Sequence, residues 1–159
     1  MIKVNVFVKN VYWKKHISDP NKYLNKKIRK LSKSETLIKK KNYSFSVMLT
    51  GNKDIKYLNN KFRNKNKTTD VLSFPFHEKK ELKILLKKNK NFYLGDIIIN
   101  FFKIKKNKEK KNFLKEFNIL WIHGLLHLLG YSHKVSKEYL KMSKIEKRYL
   151  LRIENDRKD

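Results

Sequence analysis

The sequence predicts one α+β domain. Segments in which apolar residues alternate with period two are interspersed with segments in which they recur at helical spacing. No internal repeat and no Gly- or Ser-rich linker divides the 159 residues, and this length is sufficient for a substantial core. We therefore expect a single domain spanning residues 1–159.

The N-terminal segment predicts a strand followed by a helix. The apolar residues of the strand are Ile2, Val4, Phe7 and Val8. Asp19 then precedes Pro20, which is the order of an N-cap and a first helical residue. Apolar residues recur at helical spacing as far as Ser32, so we expect a first long helix there.

The next segment predicts a second strand and a second helix. Residues 38–42 form a basic connection, and the strand over Tyr43–Leu49 places Phe45, Val47 and Leu49 on one face. Thr50 is positioned to cap the following helix, which reaches Arg63.

Two further strands are expected in the middle of the chain. The β-rich run TTDVLSFPF stops at Pro75, and LGDIIIN forms an apolar strand over Leu94–Asn100. Glu78–Asn91 between them is polar and lysine-rich, so we predict a loop with one helical turn. Without a full crossover helix, the two strands are expected to be antiparallel.

The C-terminal third is predicted to be helical. Phe101–Lys111 is a short helical or irregular basic segment, and Asn112–Leu129 is a long helix that is apolar on most of its circumference. Apolar residues between Tyr139 and Leu150 predict a last helix, before a frayed tail.

Three of the five histidines lie close together in the stretch WIHGLLHLLGYSH. His123 and His127 are four residues apart, which places both imidazoles on one helix face. Gly130 tolerates the positive φ of a helix C-terminus, so the chain can turn and bring His133 back toward the pair. Three imidazoles with a fourth position open are a common arrangement of catalytic zinc, although ordinary packing of the histidines is the alternative.

The same histidine spacing matches the metzincin pattern H-E-x-x-H-x-x-G-x-x-H with one difference. Gly124 occupies the position of the Glu that takes a proton from the attacking water in metalloproteases. This difference disfavours a peptidase.

Composition limits the other possibilities. The chain has no cysteine, which excludes disulfides and thiolate metal sites, and its N-terminus lacks the features of a secretory signal. The longest apolar run, Ile119–Leu129, is too short to span a bilayer. The formal net charge of +27 favours a nucleic-acid partner, but the abundance of Lys, Asn and Ile is equally typical of drift toward AT-rich codons.

Several blocks of the sequence, in order, resemble the YbeY endoribonucleases, or rRNA maturation factors. YLNNKFRNKNKTTDVLSFPF is similar to the family's LN-x-x-[YF]-R and TDVLSFP, LGDIIIN to its LGDI strand, and HGLLHLLGYSH to its HGxLHLxGYDH. The resemblance implies a zincin-like fold, with a mixed sheet of about four strands packed with helices. It also implies that His123, His127 and His133 bind one zinc ion and that Arg63 is functionally important. A guanidinium suits that role because it binds a phosphate bidentately.

The implied activity is zinc-dependent, single-strand-specific cleavage of RNA in maturation of the 16S rRNA 3′ end. Its expected setting is the assembling small ribosomal subunit in a bacterial cytoplasm, with ribosomal RNA as partner, ribosomal proteins as possible neighbours and no membrane. One alternative is a non-catalytic assembly factor whose zinc only stabilises the fold. A zincin-type metallopeptidase is the other and weaker alternative.

Position 132 departs from the family pattern, because Ser132 stands where the family has Asp. Metal affinity or proton transfer could suffer, since groups beside metal ligands tune both. Asp70 and Asp96 are the nearest carboxylates by motif, with Asp70 expected to bond local backbone. We expect Tyr131 to pack in the turn. His77 and His16 lack ligand spacing and are expected on the surface.

Overall fold

The computed structural model describes residues 2–34, 42–88, 91–104 and 110–154, and its centre is a four-stranded mixed sheet. The strands are β1 (Lys3–Val8), β2 (Tyr43–Thr50), β3 (Val71–Pro75) and β4 (Phe92–Asn100). Their spatial order is β1-β2-β4-β3; β1, β2 and β4 are parallel to one another, and β3 is antiparallel to β4. The predicted α+β class and mixed sheet are confirmed, as is the antiparallel pairing of the last two strands.

The described residues form six α-helices, which are α1 (Tyr12–His16), α2 (Pro20–Ser34), α3 (Asn52–Arg63), α4 (Lys79–Lys88), α5 (Lys110–Leu128) and α6 (Ser136–Glu154). Helices α2, α5 and α6 pack together on one face of the sheet, and α3 covers part of the other. None of the helices in the described ranges is long and apolar enough to cross a membrane. Most of the basic connection predicted over residues 38–42, and nearly all of the predicted tail, lie outside the described residues.

The apolar sequence of β4 follows from its place in the sheet. This strand pairs with β2 on one side and β3 on the other, and both of its faces are covered. Ile97 and Ile99 belong to the main core beneath α5, whereas Ile98 packs with Ile55 of α3 on the opposite face. A strand covered on both faces requires a continuous apolar run rather than alternation.

Helix α5 lies at the centre of the main core. Trp121, Leu125 and Leu126 are fully buried, and the helix contacts β3, β4 and α6. Phe45, Val47 and Leu49 of β2 face the same core with no exposed surface, as predicted. The buried helix therefore holds the histidine stretch against a rigid sheet.

The start of α2 agrees with the sequence prediction, whereas the start of α3 differs from it. Asp19 Oδ1 accepts a hydrogen bond from the Lys22 backbone N–H at 2.9 Å, and Pro20 is the first helical residue. The prediction that Thr50 caps α3 is wrong. Gly51 is the N-cap, and the Thr50 hydroxyl donates to Asp54 Oδ2 at 2.7 Å.

The prediction of a loop over Glu78–Asn91 is also wrong, because ten of these residues form α4. Leu82 is buried, and Leu86 packs on the core one turn later. Only two residues of this lysine-rich helix contact the core, so its helical periodicity is weak in the sequence. The helix is stabilised by these tertiary contacts, which the sequence does not indicate. Phe101–Lys103 form a short 3-10 helix, consistent with the predicted irregular segment.

Candidate metal centre

The three predicted histidines are brought together at the C-terminal end of α5. The Tyr131 backbone N–H donates to the Leu126 carbonyl, and that of Gly130 donates to the His127 carbonyl, which together form a Schellman turn. Gly130 has a φ of +84°, the left-handed conformation that this turn requires. The chain reverses there and returns His133 to the histidines of the helix.

The histidine side chains form a compact donor set. Suitable nitrogens of His123, His127 and His133 all lie within 4.8 Å of one another. The ring centroids are 4.6 Å apart for the first pair, 4.9 Å for His127 and His133, and 5.6 Å for His123 and His133. Among the described residues, this is the group of potential ligands with the geometry to bind a metal ion.

Hydrogen bonds determine which ring nitrogens are free to bind metal. His127 Nδ1 lies 3.0 Å from the Tyr131 carbonyl oxygen, which can only accept, so Nδ1 carries the proton and Nε2 keeps its lone pair. His123 Nδ1 lies 3.1 Å from Glu146 Oε1 and donates to this carboxylate oxygen in the same way. Both Nε2 atoms are therefore available as ligands.

The separation of these two nitrogens fits a shared cation. His123 Nε2 and His127 Nε2 are 3.0 Å apart, and two lone pairs at that distance repel each other. Two nitrogens about 2.05 Å from one tetrahedral zinc ion would be about 3.3 Å apart, close to the separation observed. A metal ion between the rings would replace the repulsion with two ligand bonds.

The environment of His127 favours the neutral imidazole that metal binding needs. Burial is the largest cause, followed by the neighbouring His123 and opposed by the Tyr131 carbonyl, and together they lower the pKa of His127 from 6.5 to about 4. At neutral pH this ring carries no competing proton on Nε2.

Glu146 of α6 is a site residue that the sequence analysis missed. Its carboxylate orients His123 through Nδ1, a common arrangement beside metal-binding histidines. The sequence carried only a partial signal: apolar spacing places Glu146 on the face of α6 formed by Met142, Ile145 and Tyr149, but the burial of that face is known only from the structure. A carboxylate on a buried face needs a partner, and His123 provides one.

Arg63 reaches the same cleft from α3, which lies on the face of the sheet opposite α5. It is the last residue of α3, and Asn64 ends the helix in the left-handed conformation with φ +53°. Arg63 Nη2 donates to the Ser73 carbonyl of β3 at 3.0 Å, and the guanidinium carbon lies 5.8 Å from the centre of the Phe74 ring. These contacts hold an exposed guanidinium in place beside the histidines.

The site lies in a cleft of about 830 Å³. Its walls include the three histidines together with Arg63 and Lys134. The cleft is open to solvent, and its cations Arg63, Lys79 and Lys134 outnumber its carboxylates Asp70 and Glu138, so it can admit an anionic ligand. The predicted proximity of Arg63 to the histidines agrees with this geometry.

Gly124 is explained by packing against the sheet. A Cβ atom at this position would lie 2.7 Å from Ile97 Cγ2, closer than real side-chain contacts allow. The helix thus approaches β4 only because residue 124 has no side chain. The structure does not accommodate the metalloprotease Glu at this position.

The polar residues near the site have mainly local partners. Ser132 Oγ accepts from the Lys134 backbone N–H at 3.2 Å, and Asp70 Oδ1 accepts from the Val71 backbone N–H at 2.8 Å, as expected for Asp70. Both residues line the cleft. Asp96 does not. It accepts a hydrogen bond from the Tyr93 hydroxyl at 2.6 Å and faces a different cavity.

The remaining aromatic predictions have different outcomes. Tyr131 packs against the core, as predicted, while lining the cleft. The surface prediction for His77 is wrong. Its side chain is 12% exposed, pairs with Glu81 at 3.1 Å and lines the cleft. His16 is half-buried and stacks on Phe113 at 4.2 Å, so its placement differs from the prediction too.

The fold and site define an α+β protein with a three-histidine candidate metal centre beside an arginine. A family model described as Endoribonuclease YbeY matches residues 8–154, and the chain belongs to this family. It is 40% identical to the Pelagibacter ubique protein named Endoribonuclease YbeY over 148 residues, covering 92% of each chain. The protein of that name from Thermodesulfovibrio yellowstonii is 42% identical over 130 residues, covering 78% of this chain and 75% of the relative.

A solved structure supports the same fold. The solution structure of TM1509 from Thermotoga maritima matches 96% of this chain and 89% of that protein, with a TM-score of 0.60 and 28% sequence identity. The resemblance found in the sequence motifs is thus confirmed by comparisons over most of the chain.

Proposed function

We propose that this protein is a zinc-dependent endoribonuclease that cleaves single-stranded RNA during rRNA maturation. The observation that carries the proposal is one cleft in which three histidine ligand atoms lie within 4.8 Å of one another and an ordered arginine shares the wall. Its proposed target is precursor 16S rRNA near the 3′ end, within assembling small subunits in the bacterial cytoplasm. Ribosomal proteins are proposed neighbours.

The three imidazole nitrogens form a donor set that suits zinc. Neutral imidazoles are good zinc ligands, and three of them leave one coordination position for substrate or solvent. Bound there, zinc would supply Lewis acidity toward a phosphodiester. Glu146 and the Tyr131 carbonyl orient two of the imidazoles before the metal binds, so little rearrangement is needed.

Arg63 binds the scissile phosphate in this mechanism. Its Nη2 is held by the Ser73 carbonyl, and the remaining N–H groups of the fork are available for the phosphoryl oxygens. A guanidinium fixed before the reaction stabilises the charge that develops on those oxygens without further reorganisation. The attacking group is either water or the RNA 2′-hydroxyl. A 2′,3′-cyclic phosphate on the product would identify the hydroxyl.

The test combines metal analysis with cleavage of single-stranded RNA. We expect about one zinc per chain, and a loss of cleavage of about 100-fold or more in His123→Ala and in Arg63→Ala, with the fold retained. Arg63→Lys is the matched control, because lysine keeps the positive charge but lacks the forked N–H groups of the guanidinium. This variant should retain only part of the wild-type activity. Full RNA cleavage by both alanine variants would exclude this mechanism.

Ser132 motivates the non-catalytic assembly factor as a second candidate. That function requires zinc only for folding, so Arg63→Ala would still support small-subunit maturation while chelation would unfold the protein. Ser132→Asp tests the position directly, because an added carboxylate beside His133 should tighten zinc binding several-fold. The metallopeptidase is disfavoured by the close contact between Gly124 and Ile97, and a peptide-hydrolysis assay beside the RNA assay tests it.

A further inference from the structure

A second groove of about 540 Å³ opens from the cleft that holds the histidines. It runs between α4, the turn after α5, and the start of α6. The residues that line both cavities are Lys79, Leu82, Gly130, Tyr131, Ser132 and Glu138. The two cavities are therefore neighbours, and a flexible strand held in the histidine cleft is long enough to extend into the groove.

The groove has an apolar floor and a cationic rim. Leu82, Leu86 and Leu129 form the floor with the ring of Tyr131. Four exposed lysines stand around it, at positions 79, 83, 137 and 141. The acidic residue of the lining, Glu138, is already paired with Lys79 at 3.3 Å. The groove thus combines an apolar surface with an excess of positive charge.

The Tyr131 side chain lines the groove and packs only partly against the core. It is half-buried, and the Lys141 ammonium lies 5.8 Å from the ring centre. A lysine rather than the core therefore covers this face, and a base that stacks on the ring would displace the flexible Lys141 ammonium. Aromatic faces flanked by lysines are typical of sites that stack a nucleobase and bind the adjoining phosphates.

We propose that this groove binds one unpaired nucleobase of the RNA substrate, next to the nucleotide cleaved at the histidines. The base stacks on Tyr131, and the lysines of the rim bind the neighbouring phosphates. A base within a duplex has both faces stacked and its edge paired, so it does not enter the groove. The inference rests on the proposed ribonuclease function and gives its preference for single strands a physical origin.

The first test measures coupling between the base and the tyrosine. A single-stranded RNA with one mapped cleavage position is synthesised with an abasic site at each nucleotide around the scissile bond in turn. For the wild type, one abasic position within about three nucleotides should raise KM roughly 10-fold. In Tyr131→Leu, the KM for intact RNA should already be raised to that extent, and the same abasic site should add less than about twofold.

Two measurements keep this result specific to stacking. Tyr131→Phe retains the ring, so the abasic site that raises the KM of the wild type should also raise the KM of this variant by roughly 10-fold. Zinc affinity should be equal in all three proteins, because the Tyr131 backbone carbonyl that binds His127 is unchanged. If every abasic site affects Tyr131→Leu as much as the wild type, the groove does not hold the base and the inference is wrong.

The second test concerns the lysines and does not require cleavage. Binding of single-stranded RNA is measured by fluorescence anisotropy over a range of salt, with the metal chelated. Lys83→Glu/Lys137→Glu should bind at least 10-fold more weakly and lower the salt slope by about 1.4, at roughly 0.7 per phosphate contact. The matched control is Lys88→Glu/Lys147→Glu, which makes the same charge change on the same helices outside the groove.

The two tests distinguish a failure of the groove inference from a failure of the proposed ribonuclease function. If no RNA is cleaved by the zinc-loaded wild type, the ribonuclease function is wrong, whatever the groove binds. If cleavage occurs but the groove and control variants bind RNA equally, the groove inference is wrong and the lysines contribute only to net charge. A groove that binds a protein instead of RNA would give that same equality.

Discussion

Removal of the Glu146 carboxylate should weaken metal binding without unfolding the protein. Glu146 Oε1 accepts from His123 Nδ1 at 3.1 Å, and the side chains of His123 and Glu146 are 30% and 21% exposed. Partial burial limits screening of this interaction by solvent. Groups in this position typically change metal affinity by about 10- to 100-fold, which corresponds to about 1.4 to 2.7 kcal/mol.

Two substitutions separate charge from hydrogen bonding. Glu146→Gln can still accept from Nδ1 but lacks the negative charge, so its zinc Kd should rise by about 10-fold. Glu146→Ala removes both, and its Kd should rise toward 100-fold. The assay is competition for zinc against a chromophoric chelator at fixed pH and salt, with circular dichroism to verify the fold.

The control is Glu154→Gln, which removes the same charge from the same helix eight residues further on, about 12 Å along its axis. Its zinc Kd should remain within twofold of the wild type. The reasoning would be refuted if Glu146→Ala bound zinc as tightly as the wild type, since His123 would then need no orienting partner.

Three further predictions follow from the geometry around the histidines. Gly130→Ala places a Cβ at φ +84° and should cost about 1 to 2 kcal/mol in urea unfolding and weaken zinc binding, because the turn positions His133. Gly124→Ala forces a Cβ to within 2.7 Å of Ile97 and should cost about 1 to 3 kcal/mol in the same assay. Zinc at about 100 times its Kd should stabilise the native protein by about 2.7 kcal/mol over the chelated form, measured as a higher Tm. If a glycine variant has the same free energy of unfolding as the wild type, the close approach at that glycine is contradicted. If zinc leaves the Tm unchanged, binding of zinc to the native protein is contradicted.

The histidine cluster was predictable because its geometry is local. His123, His127 and His133 lie within eleven residues, and the helical repeat followed by one glycine turn determines their relative positions. The rest of the site was harder to predict from the sequence because it depends on long-range contacts. Arg63 reaches the cleft only because the end of α3 lies beside β3, and the resemblance to a family, rather than any periodic pattern, indicated its role.

Glu146 and α4 were missed for different physical reasons. Glu146 reads as one more charged residue of a surface helix until the burial of its neighbours is known, and its partner is 23 residues away in sequence. Helix α4 contains only two core contacts within a lysine-rich segment, so its helical period is weak. Both become evident only when the distant elements that they touch are in place.

The serine at position 132 affects one ligand more than the other two. His123 and His127 each have a fixed acceptor for Nδ1, namely Glu146 and the Tyr131 carbonyl. His133 is exposed, and within the described part of the chain no hydrogen bond was found to its ring, while Ser132 Oγ is bonded to the Lys134 backbone. A carboxylate missing beside His133 should therefore leave two firm ligands and one mobile ligand. Such a site would release a bound metal ion faster, so zinc loaded onto the wild type should dissociate faster than zinc loaded onto Ser132→Asp.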